Sequence, residues 1–311
     1  MKGLDLSRAL FEERAKGELK ARFPELFGRL AVGLVGNGSE CFGYDDDLSR
    51  DHDWGADFYL WLPDDQADRT NALNAWKREF LDRCRDWPVR RAGTYGATIS
   101  AMTVGDFYRQ LTGCPAGPAS PREWMSVPED LLALAVNGEV FLDNDGSFTA
   151  VRERLIRHYP EEILFKRLAA RCMQLAQTGQ YNLRRCRLRG DAVAAQLTLA
   201  RFTEQAIRTV HLLNGRYTPY YKWAFRSMRD LPLLGGETAA RLETLAATPP
   251  GAEERDFRRE TLAEEICGMI AGELRARGLT STADPFLVAH AEQLFGKLRD
   301  PFLRSLPLQI D

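Results

Sequence analysis

The sequence predicts an α+β fold, with a small mixed sheet and flanking helices in the N-terminal half and an all-helical C-terminal domain. Short apolar runs of strand length alternate with helical patterns up to about residue 145. Beyond Phe148 the strand-like runs end, and helical patterns continue almost to the C-terminus. The 311 residues suffice for two ordinary domains with separate cores. We therefore expect domains at 1–150 and 151–311.

The N-terminal half begins with an amphipathic helical pattern at 5–22, which Pro24 ends. The apolar run at 30–35 is typical of a first strand, and the small residues at 36–39 indicate a turn. After an acidic loop, a second strand is expected to begin at Asp51 and to continue through Leu62. The later elements are expected as a helix at 66–86, a strand at 96–104, a helix from Asp106, a helix near 129–136 and an edge strand at 139–142.

The C-terminal half is predicted to be helical throughout, with a linker at 249–251. Its helices are expected at 148–158, 161–178, 190–214, 219–230, 237–247, 256–277 and 284–299.

Composition excludes several classes of protein. Hydrophobic residues make up 44% and charged residues 28%, as in ordinary globular proteins. A net charge of −2 argues against nucleic acid as a partner without excluding it. No apolar run approaches the roughly 20 residues of a membrane helix, and none forms a signal peptide. Six scattered cysteines without a CxxC pair indicate free thiols, so we expect a cytoplasmic protein.

The residues that can carry chemistry begin at the first turn. If 51–53 is a strand, the side chains of Asp51 and Asp53 point to one face about 6–7 Å apart. Two such carboxylates can converge on a hard cation such as Mg²⁺. Gly38 leaves room for a phosphate to approach the backbone, and Ser39 offers it a hydroxyl and an N–H. For any of these residues alone, an ordinary tight turn or a solvated acidic loop is the simpler interpretation.

Gly38-Ser39 and Asp51-His52-Asp53, separated by eleven residues, together resemble the signature of the nucleotidyltransferase superfamily that includes kanamycin nucleotidyltransferase and polymerase-beta-like enzymes. The longer segment GSECFGYDDDLSRDHDWG, together with RGD at 189–191 and YYKW at 220–223, resembles the sequences of a bacterial family called domain of unknown function 4037. This second resemblance is expected to extend over nearly the whole chain. It implies a nucleotidyltransferase-like N-terminal domain, with a helical domain that completes the cleft.

The resemblance also implies a third acidic group, because active members of the superfamily supply one from another element. The kanamycin enzyme takes it from the helical domain, where Asp191 or Glu204 is the candidate here. The group would act as a metal ligand or as the base for an acceptor hydroxyl. Asp57 lies too far along the predicted strand to reach the same ion, and Asp45, Asp46 and Asp47 are assigned to loop roles.

Basic residues in the helical half are candidates for binding a triphosphate. Arg185 and Arg189 share one face of a helix, and forked guanidinium donors suit phosphate. They are equally well explained as a solvated basic face, or as partners of the acidic loop. Lys222 begins an aromatic-flanked helix and can meet phosphate, although tightly packed helix corners also use such residues.

The sequence thus predicts a nucleotidyltransferase that uses Mg²⁺, with two ions possible, and ATP or another nucleoside triphosphate. The acceptor would be a hydroxyl of a small molecule, a protein or an RNA end, and no membrane partner is expected. The alternative is a degenerate protein that binds or senses nucleotide without transferring it.

Overall fold

Strands and helices alternate in the N-terminal part of the chain. The computed structural model describes residues 1–50, 54–90, 100–249, 251 and 253–311. Up to residue 157 its regular elements are α1 (Gly3–Leu10), α2 (Lys16–Arg22), α3 (Pro24–Phe27), β1 (Ala31–Leu34), β2 (Tyr59–Leu62), α4 (Thr70–Arg83), β3 (Ala101–Thr103), α5 (Val104–Thr112), α6 (Pro121–Ser126), α7 (Glu129–Val136), β4 (Glu139–Asp143) and α8 (Ser147–Ile156). A π-helical turn at Phe11–Ala15 joins α1 to α2, and 3₁₀ turns cover Glu40–Phe42, Asp47–Arg50 and Asp64–Arg69.

The strands that the structure describes form one four-stranded sheet in the order β3-β2-β1-β4. β1 pairs antiparallel with both β2 and β4, whereas β2 and β3 run parallel. The sheet is therefore mixed, and β4 lies at its edge. The predictions of an α+β class, a small mixed sheet and an edge strand near 139–142 are confirmed.

Alternation along β2 gives the sheet two buried faces. Leu60 and Leu62 join the core cluster built with α1, α2 and α4. Trp61 points to the opposite face, where its ring stacks on Phe148 with centroids 3.9 Å apart and meets Phe107 edge-on. Helices thus cover both sides of the sheet, and the ends of its strands are free to carry loops.

The predicted start of the second strand is wrong, because β2 begins only at Tyr59. Three of the residues predicted for this strand, Asp51, His52 and Asp53, lie outside the described residues. From Trp54 to Phe58 the chain is irregular, and Gly55 has φ of +141°. Ala56 instead exchanges backbone hydrogen bonds with Pro88 and Arg90, which lie after α4.

The C-terminal half is helical, as predicted. Its elements are α9 (Glu161–Leu175), a π-helical stretch (Ala176–Asn182), α10 (Leu183–Leu188), α11 (Ala192–Leu213), α12 (Tyr221–Arg229), α13 (Gly235–Ala247), α14 (Glu253–Ala276), α15 (Leu287–Gly296) and α16 (Pro301–Ser305). Each helix expected from residue 148 onward has a counterpart, and the linker lies between α13 and α14.

The chain separates into two compact units. The first contains 1–118 and 131–157, and the second contains 119–130 and 158–311. The second unit thus includes a short segment, with α6, that precedes the last strand of the sheet. The domain limits at 1–150 and 151–311 stay a prediction.

A buried ionic network lies inside the helical unit. Arg171, fully buried, donates to Glu129 at 2.6 Å and to Asp311 at 2.9 Å, and Arg167 donates to Asp311 at 2.8 Å. Burial raises the pKa of Asp311, but the charges of Arg171 and Arg167 outweigh it and leave that pKa well below its usual value. Removing one member would leave a buried charge without its partner.

Two further expectations concern the whole chain. All six cysteines are free thiols, as expected. Within the described ranges, no helix combines the length and the apolar character that crossing a membrane requires.

Candidate functional site

The turn after β1 is held in place from a distant part of the chain. The Asn137 side chain bonds both backbone groups of Gly36: the Gly36 N–H donates to Asn137 Oδ1 at 2.7 Å, and Asn137 Nδ2 donates to the Gly36 carbonyl at 2.8 Å. Arg152 in turn donates to the carbonyls of Val136, Asn137 and Gly138 at 2.7, 3.0 and 3.1 Å. The turn that carries Gly38 and Ser39 therefore starts from a fixed point.

Glu40 lies directly beneath this turn. Gly38 has φ of +119°, and a Cβ at this position would lie 2.7 Å from the Glu40 carboxyl carbon. Glycine is thus required by the packing of Glu40, whatever binds at the turn. The buried Glu40 carboxylate accepts a hydrogen bond from Arg90, forming an ion pair. Burial lowers the pKa of Arg90 to about 10, so the guanidinium stays charged at neutral pH.

The acidic loop that follows is organised by Asp45, which is buried. Its Oδ2 accepts hydrogen bonds from the Gly3 N–H at 2.8 Å and from the Trp54 indole at 3.2 Å. Lys2 Nζ lies 3.6 Å from Asp45 Oδ1. Burial raises the pKa of Asp45, but these hydrogen bonds and the Lys2 charge outweigh it and lower the pKa overall. The carboxylate thus anchors the loop to α1.

Asp46 and Asp57 also have structural partners. Asp46 Oδ1 accepts from the Ser49 N–H and hydroxyl, both at 3.1 Å, which closes the 3₁₀ turn. Asp57 and Lys77 form a buried ion pair at 2.7 Å, and Lys77 also donates to the Phe58 carbonyl at 2.5 Å. Asp46 thus shapes its own loop, and the Asp57 carboxylate is neutralised by Lys77.

Asp51 and Asp53, the predicted metal ligands, lie outside the described residues. Among the residues described, no cluster of three or more His, Cys, Asp or Glu side chains is arranged to hold a metal ion. The role of Asp51 and Asp53 as metal ligands stays a prediction.

The two candidates for the third carboxylate lie on the same helix of the helical unit. Asp191 is exposed and caps α11, where its Oδ1 accepts from the Ala194 N–H at 2.9 Å. Glu204 lies more than three turns further along and is also exposed, with its Oε1 3.8 Å from Arg208 Nε. These two carboxylates are therefore separated along the helix and do not form a pair.

The predicted phosphate-binding residues are spread over the surface of the helical unit. Arg185 is exposed and places its guanidinium over the ring of Tyr181, 4.6 Å from the centroid. Arg189 is exposed and follows the last residue of α10, so it is the C-cap and no longer part of the helix. Lys222 is exposed near the start of α12, with its ammonium 5.1 Å from the Trp223 ring centroid.

Gly38 and Ser39 thus share one turn of the first unit, whereas Asp191, Glu204, Arg185, Arg189 and Lys222 belong to the helical unit. The reasoning from sequence missed Asn137, Glu40 and Arg90, which hold the turn. The Asn137-Gly138 dipeptide is a turn signal that marks this position, but nothing local indicates its partner.

Comparisons with known proteins agree with part of these expectations. The profile of a family described as a domain of unknown function, DUF4037, matches residues 124–224. This range includes RGD at 189–191 and YYKW at 220–223 but not 38–53, so it is shorter than the resemblance predicted. No curated protein matches the chain. A crystal structure of a nucleotidyltransferase-like protein from Exiguobacterium sibiricum 255-15 matches with 15% identity and a TM-score of 0.37, covering 96% of this chain and 90% of that one.

Proposed function

We propose that this protein is a Mg²⁺-dependent nucleotidyltransferase that moves a nucleoside monophosphate, AMP from ATP in the first instance, to a hydroxyl of an acceptor. The supporting observation is the pinned turn. Gly38 and Ser39 lie in the turn after a central strand, where Asn137 holds Gly36 and Glu40 packs against Gly38, and eleven residues separate them from Asp51-His52-Asp53. A rigid turn at this spacing can present a backbone N–H and the Ser39 hydroxyl to a phosphate.

Asp51 and Asp53 would hold the metal, because two carboxylates are the oxygen ligands that Mg²⁺ prefers. When bound, one or two such ions neutralise charge on a triphosphate. Two other carboxylates of the loop have structural partners, since Asp45 accepts from the Gly3 N–H and Asp46 accepts from the Ser49 N–H. Asp51 and Asp53 are the pair that the spacing of the motif assigns to the metal.

The helical unit would contribute the remaining groups. Glu204 is the better candidate for the proton acceptor, because its side chain is 62% exposed and its nearest basic partner lies 3.8 Å away. Asp191 already accepts a capping hydrogen bond, which would have to break. Arg185, Arg189 and Lys222 are all exposed and would supply positive charge to the phosphate tail.

The proposal is tested by nucleotide binding to the full chain. Calorimetry with ATP, GTP, CTP and UTP, each with and without Mg²⁺, should show binding of at least one nucleotide, strengthened by the metal. Asp53→Asn should remove the Mg²⁺-dependent part of the affinity, and Ser39→Ala should weaken binding further. Asp68→Asn is a matched control, since Asp68 is an exposed carboxylate of the same unit outside the loop. No binding of any nucleotide would refute the proposal.

The second candidate is a nucleotide-binding protein without transferase activity. It is favoured by the engagement of Asp191 as a helix cap and of Asp57 in a buried ion pair, which leaves few carboxylates for a third role. Incubation with α-labelled ATP and pools of small molecules, proteins and RNA separates the two. Transfer of label that Glu204→Gln or Asp191→Asn abolishes supports the enzyme, whereas Mg²⁺-dependent binding without any labelled product supports the alternative.

A further inference from the structure

The helical unit contains a cavity of about 540 Å³ formed by α11, by the chain that leads into α12, and by the end of α13. This volume is in the range of sites that take small organic molecules. Its apolar wall is made of Leu199, Ala200, Ile207, Pro219, Ala224, Leu245 and Ala246. Such a wall favours a ligand with an apolar body.

Two side chains of this cavity can contact a ligand: an exposed tyrosine ring and a buried hydroxyl. Tyr221 is 92% exposed although it lines the cavity, so its ring offers a large face to a ligand. Thr218 is only 3% exposed, and its hydroxyl oxygen has no hydrogen-bond partner among the described residues. A buried hydroxyl without a partner is costly unless something binds it.

The charged residues of the lining are acidic in excess. Asp130 and Glu204 contribute carboxylates, and Arg208 is the basic residue among the described lining residues. The Arg208 charge is shared, because its Nε lies 3.8 Å from both Glu129 and Glu204 and its Nη1 lies 4.0 Å from Asp311. The described lining residues thus contribute two carboxylates and one guanidinium, which leaves one negative charge in excess.

We propose that this cavity binds a small organic ammonium ion that carries an aromatic ring. The ammonium would lie near the Glu204 carboxylate and an exposed tyrosine face, both of which attract cations. The aromatic ring would pack against the apolar wall between Leu199 and Leu245. This binding site does not depend on the transferase proposal, and its test uses no nucleotide.

Three probes of matched shape test the charge preference: tryptamine, tryptophol and indole-3-acetate, which are cationic, neutral and anionic at pH 7.5. Each is titrated into the full chain by calorimetry. Tryptamine should bind most tightly, tryptophol several-fold more weakly and indole-3-acetate most weakly. This order of affinities is expected because carboxylates outnumber guanidiniums in the lining. The affinity that the three indoles have in common measures the contribution of the apolar wall.

Exposed positions allow variants that do not disturb the core. Glu204→Gln should weaken tryptamine about two- to fivefold, as expected for a solvent-facing ion pair, and leave tryptophol unchanged. Glu243→Gln is its control, since Glu243 is an exposed carboxylate of α13 outside the cavity. Tyr221→Ala should weaken tryptamine more than tryptophol, because the ring attracts the cation, whereas Phe257→Ala, which removes another exposed ring, should change neither.

A blocking variant tests the location. Ala200 is exposed and lines the cavity, so Ala200→Phe should abolish binding of tryptamine, whereas Ala192→Phe near the start of the same helix should have no effect. The proposal is overturned if none of the probes binds at millimolar concentration, or if indole-3-acetate binds as tightly as tryptamine. It is also overturned if Ala200→Phe and Tyr221→Ala both bind tryptamine as the wild type does.

Discussion

Replacing Lys77 by Met should destabilise the N-terminal unit strongly, because Lys77 neutralises a buried carboxylate. Its side chain is 3% exposed and its ammonium lies 2.7 Å from Asp57, whose side chain is 7% exposed. After the change, the Asp57 carboxylate still accepts from the Phe58 N–H at 2.8 Å but has lost its ammonium partner, and the Phe58 carbonyl loses the donor that bonded it at 2.5 Å. Leaving a buried charge unpaired in this way costs about 3–5 kcal/mol.

The assay is urea unfolding followed by tryptophan fluorescence. Four tryptophans, Trp54, Trp61, Trp76 and Trp87, lie in the unit that contains the ion pair, so this signal is weighted toward it. The control is Arg22→Met, which breaks the exposed Arg22–Glu79 pair at 3.1 Å and should cost less than about 1 kcal/mol.

The pH dependence and a double variant sharpen the test. Burial raises the pKa of Asp57, and Lys77 offsets part of that rise. Without the Lys77 ammonium, the pKa of Asp57 in the folded protein rises further above the ordinary value of 3.8. A raised folded-state pKa means that the variant keeps its stability below pH 3.8, where Asp57 is protonated in both states. It loses stability as the pH rises through the folded-state pKa of Asp57. The cost of Lys77→Met should therefore be larger at pH 7.5 than at pH 4. Adding Asp57→Asn should recover about half of the loss.

Two results would refute this reasoning. One is a loss below about 1 kcal/mol at pH 7.5, which would mean that water or another group compensates the carboxylate. The other is a double variant as unstable as the single one, which would assign the loss to packing and not to charge.

Three further outcomes follow from the same contacts. Gly38→Ala should cost more than Gly36→Ala by urea unfolding, since both have positive φ but only at Gly38 would the added Cβ press on the buried, ion-paired Glu40 carboxylate, while open space surrounds Gly36. Arg171→Leu should cost about 3–5 kcal/mol in the unfolding of the helical unit, because it leaves two buried carboxylates without their shared partner; retention of wild-type stability would contradict this role. Burial lowers the pKa of His158 from 6.5 to about 4. The free energy of unfolding should therefore fall by about 3 kcal/mol as the pH drops from 6.5 to 4. His158→Asn, which tolerates the positive φ of 71°, should flatten that slope in unfolding midpoints measured across this range.

Periodicity predicted most of the fold, because it reports which faces of an element are buried. Patterns within a few residues predict strand β1 and the succession of helices after Phe148. They also predict that Leu60 and Leu62 point to one face of the sheet and Trp61 to the other. The start of β2 did not follow, because the backbone of Ala56 bonds to Pro88 and Arg90, more than thirty residues away. No local pattern encodes such a partner.

Only part of the candidate site could be predicted from the sequence. Small residues at 36–39 and the Asp-x-Asp spacing are visible as a short motif, but the groups that fix the turn are not. Asn137 reaches Gly36 across 101 residues, and Arg90 reaches Glu40 across 50. The sequence offered Asp191 as a catalytic candidate, and the structure adds that it caps α11, which its sequence neighbourhood alone did not indicate. Its catalytic role stays a prediction.

The most direct test of the proposed function is the dependence of ATP affinity on Mg²⁺ in the wild type and in Asp53→Asn. If Asp51 and Asp53 hold the ion beside the turn of Gly38 and Ser39, Mg²⁺ should tighten ATP binding to the wild type. Asp53→Asn should bind ATP with the same affinity whether or not Mg²⁺ is present. An unchanged Mg²⁺ effect in Asp53→Asn, with Asp68→Asn behaving identically, would contradict the metal role of this motif.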